Sequence, residues 1–154
     1  MERQGLPLTE ILNYLPQQKP FRFVDEVTSV NTECISGHYT FRKDEFFYAG
    51  HFPVKPITPG VILLESMCQL GGVAFGIYLF SLNADPDELK NFLVAFTDSQ
   101  LEIIKPVYPE QKVIINAEKL IWRRMRMRSK VEMCNMEGDL VATAIISGLG
   151  VSRS

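Results

Sequence analysis

Histidine is scarce in this chain: two in 154 residues, His38 and His51. Any chemistry that needs a base titrating near neutrality has only those two candidates. Cysteine is almost as rare. Cys34, Cys68 and Cys134 stand far apart, with no C-x-x-C pair and no adjacent histidine, so neither a metal cage nor a disulfide framework is expected. A reducing, cytoplasmic compartment follows as the default. Excess charge is missing too, and a net charge of −2 excludes a wholly basic nucleic-acid binder. The first fourteen residues hold Glu2, Pro7 and Glu10 where a secretory signal would need an unbroken apolar core, so export is not expected. No repeat and no linker-like run divides residues 1–154, which predicts a single domain.

What the chain does have is enough apolar residue, 46%, to build one sizeable core. Thr9 is placed to cap a short helix through Ile11, Leu12 and Tyr14, stopped by Pro16, which has no N–H for the helical ladder. Partial alternation of aromatic and β-branched residues predicts strands over residues 21–30 and 34–41. Two glycines and three prolines within the next stretch make residues 44–60 an ordered loop. Residues 61–80 are almost continuously apolar without the period of a strand, which predicts a buried helix. Its length would suit a membrane span, and Gly72 with Gly76 forms a G-x-x-x-G pair, but Glu65 and Gln69 on one face argue against burial in lipid. No membrane span is expected.

Asp85, Pro86 and Glu88 read as an N-cap, a first-turn proline and a capping-box acid. Beyond them, strands are predicted over residues 92–97, 101–107, 112–122, 125–136 and 140–147, joined by short turns into an antiparallel meander. The class is α+β, with a curved antiparallel sheet wrapped around one long central helix.

His38 lies within a predicted strand as Gly37-His38-Tyr39 and reads as a packing or surface residue. His51 differs. It lies in Gly50-His51-Phe52-Pro53, followed by Pro56, Thr58, Pro59 and Gly60, where stiff residues can hold a side chain ahead of a helix. Pro59-Gly60 opens that helix, and the first N–H groups, those of Gly60 and Val61, are expected to have no partners inside it, which makes a site for an anion or a carbonyl oxygen. Glu65 follows in the second turn, with Gln69 as its i+4 neighbour to hydrogen-bond it and fix its direction. Val61, Ile62, Leu63, Leu64 and Met67 around Glu65 leave little polar face for solvent.

The string Gly50-His51-Phe52-Pro53, Pro56, Pro59-Gly60-Val61, Glu65 and Gln69 resembles the signature of the β-hydroxyacyl-acyl-carrier-protein dehydratases of fatty acid synthesis. Leu15-Pro16, Pro20-Phe21 and Val24-Asp25 resemble that family's opening, and Pro106-Val107 with Pro109 a later turn, so the resemblance runs from about residue 15 to 151. It implies a hotdog fold working as a homodimer or larger assembly of dimers, with each site shared by two subunits. It further implies His51 as the base, Glu65 as the acid, an oxyanion site at Gly60 and Val61, support from Gln69, Phe52 and Pro53, and no cofactor or metal. The partner implied is acyl carrier protein bearing a phosphopantetheine-linked chain. For Glu65 to act as an acid, burial must outweigh the helix N-terminus, which favours the carboxylate. Gln17 and Glu110 depart from the family's usual histidine and glycine, which bears on substrate preference and pathway. The length of an acyl tunnel would depend on which of Phe75, Tyr78, Leu79, Phe92 and Phe96 close it.

Arg124, Arg126, Arg128 and Lys130 alternate with Met125, Met127, Ser129 and Val131, which predicts cations on one face of a strand, extended by Arg123 and Lys119. A solvated face and a dock for an acidic carrier both fit that pattern. Nucleic acid does not, because one aromatic, Trp122, borders the stripe without a recognition motif. Two other functions remain open: an acyl thioesterase on the same fold, and a noncatalytic acyl-binding module.

Overall fold

The apolar run from residue 60 forms one 22-residue helix, α1 (Gly60–Ser81), in a computed structural model that describes residues 4–152. The helix is long and apolar enough to cross a membrane, but 78% of its most apolar window is buried inside the fold, as a core helix requires. Leu63, Met67, Leu70, Phe75 and Ile77 are all essentially inaccessible. Its middle, Gln69–Ala74, is wound as a π turn. There the helix lies against the sheet: a Cβ on Gly71 would come within 2.7 Å of Val131 Cγ2 and 3.0 Å of the Ala117 Cβ. The Ser129 hydroxyl, itself buried, donates to the Gly71 carbonyl at 2.8 Å.

Six strands make that sheet: β1 (Glu26–Val30), β2 (Cys34–Thr40), β3 (Phe92–Ile103), β4 (Lys112–Arg123), β5 (Arg126–Cys134) and β6 (Leu140–Ser152). They pair antiparallel in the order β1-β2-β4-β5-β6-β3. Alternation puts Val113, Ile115 and Ala117 of β4 and Met127, Val131 and Met133 of β5 inward against α1. One sheet closing over one buried helix is the hotdog arrangement, and the α+β class is as expected.

Several details differ from the sequence reading. The predicted strand over residues 21–30 pairs only from Glu26 onward. Phe23 and Val24 are buried, but Phe23 is tied to α1 by side chains, and only at Asp25, whose N–H donates to the His38 carbonyl at 2.8 Å, does the chain first bond to β2. The predicted strands 92–97 and 101–107 are one strand, β3, with a register shift between Phe96 and Asp98, and Val107 is buried in the loop beyond it. Polar residues 97–100 suit this because β3 is an edge strand. Only β4, β5 and β6 form a meander, since β3 crosses to the far side of β6 and β4 pairs with β2. The first helix is a 3-10 helix (Leu8–Tyr14) that starts after Pro7 without a side-chain cap, so Thr9 lies inside it. The short helix α2 (Pro86–Lys90) has the expected reciprocal cap between Asp85 and Glu88.

Candidate active site

The loop carrying His51 has no regular structure, so its shape rests on individual hydrogen bonds. The Tyr48 hydroxyl meets the Thr58 hydroxyl at 2.6 Å, both buried, and the Thr58 N–H donates to the Val107 carbonyl at 2.8 Å. The His51 N–H donates to the Tyr48 carbonyl at 3.2 Å, and the Ile57 N–H donates to the His51 carbonyl at 3.0 Å. The imidazole then returns to the same residue, with Nδ1 2.8 Å from the Ile57 carbonyl oxygen. A carbonyl can only accept, so Nδ1 carries the hydrogen and Nε2 of the neutral ring keeps its lone pair. The ring stacks on Phe52 at 4.2 Å between centroids, and the peptide joining the two residues is cis. Phe52 and Pro53 themselves face solvent.

Eight residues after His51 comes Pro59, which caps α1. The Ile62 and Leu63 N–H groups both donate to the Pro59 carbonyl, at 2.9 and 3.2 Å. The N–H groups of Gly60 and Val61, which precede them, are the outward donors at this end of the helix. A Cβ at position 60 would come within 2.5 Å of Ile103 Cδ1, the tip of an exposed side chain on β3.

Glu65 is half-buried one turn further on, and its direction is set by Gln69, which is fully buried. Gln69 Oε1 accepts from the Phe23 N–H at 2.7 Å. That fixes the amide's orientation, and both Nε2 hydrogens are then spent, one on the Phe21 carbonyl at 2.9 Å and one on Glu65 Oε1 at 2.9 Å. Ser66 adds a bond to the Phe23 carbonyl at 2.7 Å. Residues 21–23 are therefore the anvil on which the Gln69 amide, and through it Glu65, is aligned. Within one chain, no hydrogen bond or ion pair joins His51 to Glu65 among the described residues.

One turn beyond Glu65, an apolar crevice opens between α1 and the sheet, lined by Cys68, Gly72, Val94, Phe96, Met127 and Ile146 among others. The Cys68 thiol is pushed up to about 12, first by burial and then by the charge of Glu65 nearby. Of the five residues named as tunnel ends, only Phe96 lines this crevice. Phe75 and Leu79 belong to the core, Phe92 is stacked on Phe80 at 4.4 Å, and Tyr78 lies over Gly5.

The cationic stripe needs one correction. Arg126, Arg128 and Lys130 share the outer face of β5, but Arg124 sits with Met125 in the tight turn between β4 and β5, both at positive φ. Arg123, Arg124 and Arg126 surround a depression of about 610 Å³ floored by Ile121 and Leu149. Arg128 is half-buried and reaches the Ser147 hydroxyl at 3.3 Å. His38 pairs its Nε2 with Glu26 at 3.1 Å, a surface role on β2. Among the described residues no three His, Cys, Asp or Glu side chains gather to hold a metal. Sequence reasoning missed the Tyr48 and Thr58 pair, the Ile57 carbonyl and Val94. Only the first carried a signal, as two hydroxyl residues within one stiff loop.

Comparison with known proteins places the chain in a family. Residues 15–145 match the model of the FabA-like domain. The chain is 32% identical over 149 residues to a 3-hydroxyacyl-acyl-carrier-protein dehydratase FabZ of Nitratidesulfovibrio vulgaris, covering 96% of this chain and 93% of that one. A FabZ of Chlamydia muridarum is 34% identical over 119 residues, 76% of this chain and 74% of its own. Among solved structures, the dehydratase heterocomplex ApeI:P from Xenorhabdus doucetiae superposes with a TM-score of 0.74 at 15% identity, covering 93% of this chain and 91% of that one. A hypothetical thioesterase with coenzyme A from Streptococcus pneumoniae gives 0.59 at 17% identity, with 84% and 88% covered. At such identities the two structures speak for the fold alone.

Proposed function

We propose, from the premise that this chain belongs to the FabA-like family, that it is a hydro-lyase which removes water from a (3R)-hydroxyacyl group held as a thioester on acyl carrier protein, leaving the trans-2-enoyl thioester. The observation that carries the reading is the fixed tautomer of His51. With Nδ1 committed to the Ile57 carbonyl, Nε2 is the ring atom available to accept a proton.

In the reaction so read, His51 Nε2 takes the proton from the carbon beside the thioester carbonyl. Charge moves onto the carbonyl oxygen, where the N–H groups of Gly60 and Val61 and the positive end of α1 steady it. Glu65 gives a proton to the β-hydroxyl, the carbon–oxygen bond breaks, water leaves and the double bond forms. Because Gln69 donates to Oε1, Oε2 is the oxygen that presents the proton. The cycle closes when the proton on His51 returns to Glu65 through solvent. No oxidant, metal or cofactor enters the balance.

His51 and Glu65 form no bond within one chain, and the family resemblance supplies the completion: His51 of one subunit faces Glu65 of a second. The support in this structure is β3, which pairs on one side with β6 and leaves its other edge open, with Phe96 and Ile103 exposed beside it. A homodimer, alone or within a larger assembly, covers that edge. The acidic carrier approaches Arg124, Arg126, Arg128 and Lys130, and encounter weakens with salt. Three free thiols suit work in the cytoplasm.

The test is incubation with 3-hydroxyacyl groups on acyl carrier protein, followed by mass spectrometry. Loss of one water with wild type, reduced at least a hundredfold in both His51→Ala and Glu65→Gln, is the expected result. Release of free thiol would make the protein a thioesterase instead. Retention of the acyl chain without turnover would make it a binding module.

A further inference from the structure

The crevice beyond Glu65 is short, and one side chain accounts for that. It follows the face of α1 that carries Glu65, passing Cys68 and Gly72, with Met127 of β5 and Ile146 of β6 as its wall. Its free volume is about 30 Å³, the share of a single water molecule in the liquid. One turn past Gly72, Val94 of β3 lies across the path. Each of its methyls sits where a neighbour lacks a side chain. Cγ2 lies 3.1 Å from the point a Cβ of Gly76 would occupy, and Cγ1 lies 2.6 Å from that of Gly148. Val94 is thus seated, partly buried, between helix and strand, with its methyls in the room that two glycines leave. Behind it stands a second closure, the stacked pair of Phe80 and Phe92, with Phe92 pressed onto Gly150.

We propose that Val94 sets the length of acyl chain this protein accepts, stopping the chain where β3 meets α1 one turn beyond Gly72. The inference rests on the dehydratase reading for its substrate, but not for its geometry. A β-branched residue is a firmer stop than a longer flexible one, because it turns only about χ1 and that torsion is restricted. Replacing it by alanine removes both methyls and leaves Phe92 as the end wall, with room for about two more methylene groups.

The experiment compares wild type with Val94→Ala on a series of carrier-bound substrates from 3-hydroxybutyryl to 3-hydroxydodecanoyl. Each methylene newly buried is worth about fourfold. Wild type is expected to show a sharp fall in kcat/KM above one chain length in the series, and the variant to move that fall up by about two carbons, raising kcat/KM at the first excluded length relative to 3-hydroxybutyryl by about tenfold or more. The same series is repeated as equilibrium binding of saturated, unreactive acyl-pantetheine thioethers. A folded variant that still handles the shortest substrate but keeps the wild-type length ratio overturns the proposal, as does a wild type that takes the longest chain as well as the shortest. If no substrate is turned over, the dehydratase reading falls. The binding series then decides alone whether Val94 limits chain length.

Discussion

The loop that carries His51 and the helix that carries Glu65 meet at Pro59, yet they are held by opposite means. Between Tyr48 and Thr58 nearly every named contact is polar: a hydroxyl pair, three backbone bonds and the imidazole on a carbonyl. Along α1 the holding force is burial, with five large side chains essentially inaccessible and Gly71 pressed on the sheet. The exception in the helix is the polar cluster of Ser66 and Gln69, and it serves Glu65. Packing fixes where an element lies, whereas hydrogen bonds fix which way a reactive atom points.

Four substitutions and one labelling probe can break or sharpen that contrast. The largest loss of stability is expected for Gln69→Leu, which strips partners from the Phe23 N–H and the Phe21 carbonyl at about 1–3 kcal/mol each. Chemical denaturation measures it, and a loss under about 1 kcal/mol would mean that residues 21–23 do not depend on the amide. Its companion Gln69→Glu keeps the acceptor for Phe23 and places a second carboxyl beside Glu65, so a pH–rate profile displaced from wild type is expected. Next comes Gly71→Ala, which overpacks Val131 and Ala117 and should cost about 1–3 kcal/mol while leaving kcat per folded molecule nearly unchanged. A strong fall in kcat there would show that the helix axis itself sets the chemistry.

Thr58→Val tests the opposite case. It leaves the Tyr48 hydroxyl without its partner, costing about 1 kcal/mol, but should lower kcat roughly tenfold because the turn that aims His51 loosens. If kcat and stability fall in proportion, the pair only supports the fold. The smallest effect is a probe of the crevice wall. With its thiol pushed up to about 12, Cys68 stays protonated at pH 8, so alkylation in the folded protein should label exposed Cys34 long before Cys68. Cys68 labelling should accelerate as pH rises toward that value, because only the thiolate reacts.

The reactive residues were more legible in the sequence than the frame that aims them. His51, Gly60, Glu65 and Gln69 lie within twenty residues, and proline and glycine punctuation marks the loop and the helix start, so local chemistry identifies them. Strand order is a different matter. That β3 crosses to β6 while β4 returns to β2 depends on partners far apart in the chain, and alternation in one strand says nothing about them. Polar residues 97–100 read as a break because edge strands can face water with residues that a central strand excludes. The pattern at residues 21–24 misled for the converse reason: Phe23 and Val24 are buried, and the backbone of Phe21 and Phe23 bonds to side chains of the helix instead of to a strand. Val94 left no trace, since one valine in a strand looks like any other until Gly76 and Gly148 are seen against it.

The π turn at Gln69–Ala74 has a consequence for the helix as a timing device. An α-helix advances about 100° per residue, and a π turn absorbs one extra residue, so the second half of α1 is rephased by about that angle relative to the first. Residues Gly60–Cys68 and Phe75–Ser81 therefore share an axis but not a common dial setting. Removing one residue between them would restore an ordinary helix and leave Phe75 and Ile77 on the faces they now occupy, whereas removing one elsewhere in α1 would turn one half against the other by about 100°. A one-residue deletion should accordingly be borne at this turn better than anywhere else along α1, because here the rod already carries a spare residue between its two walls.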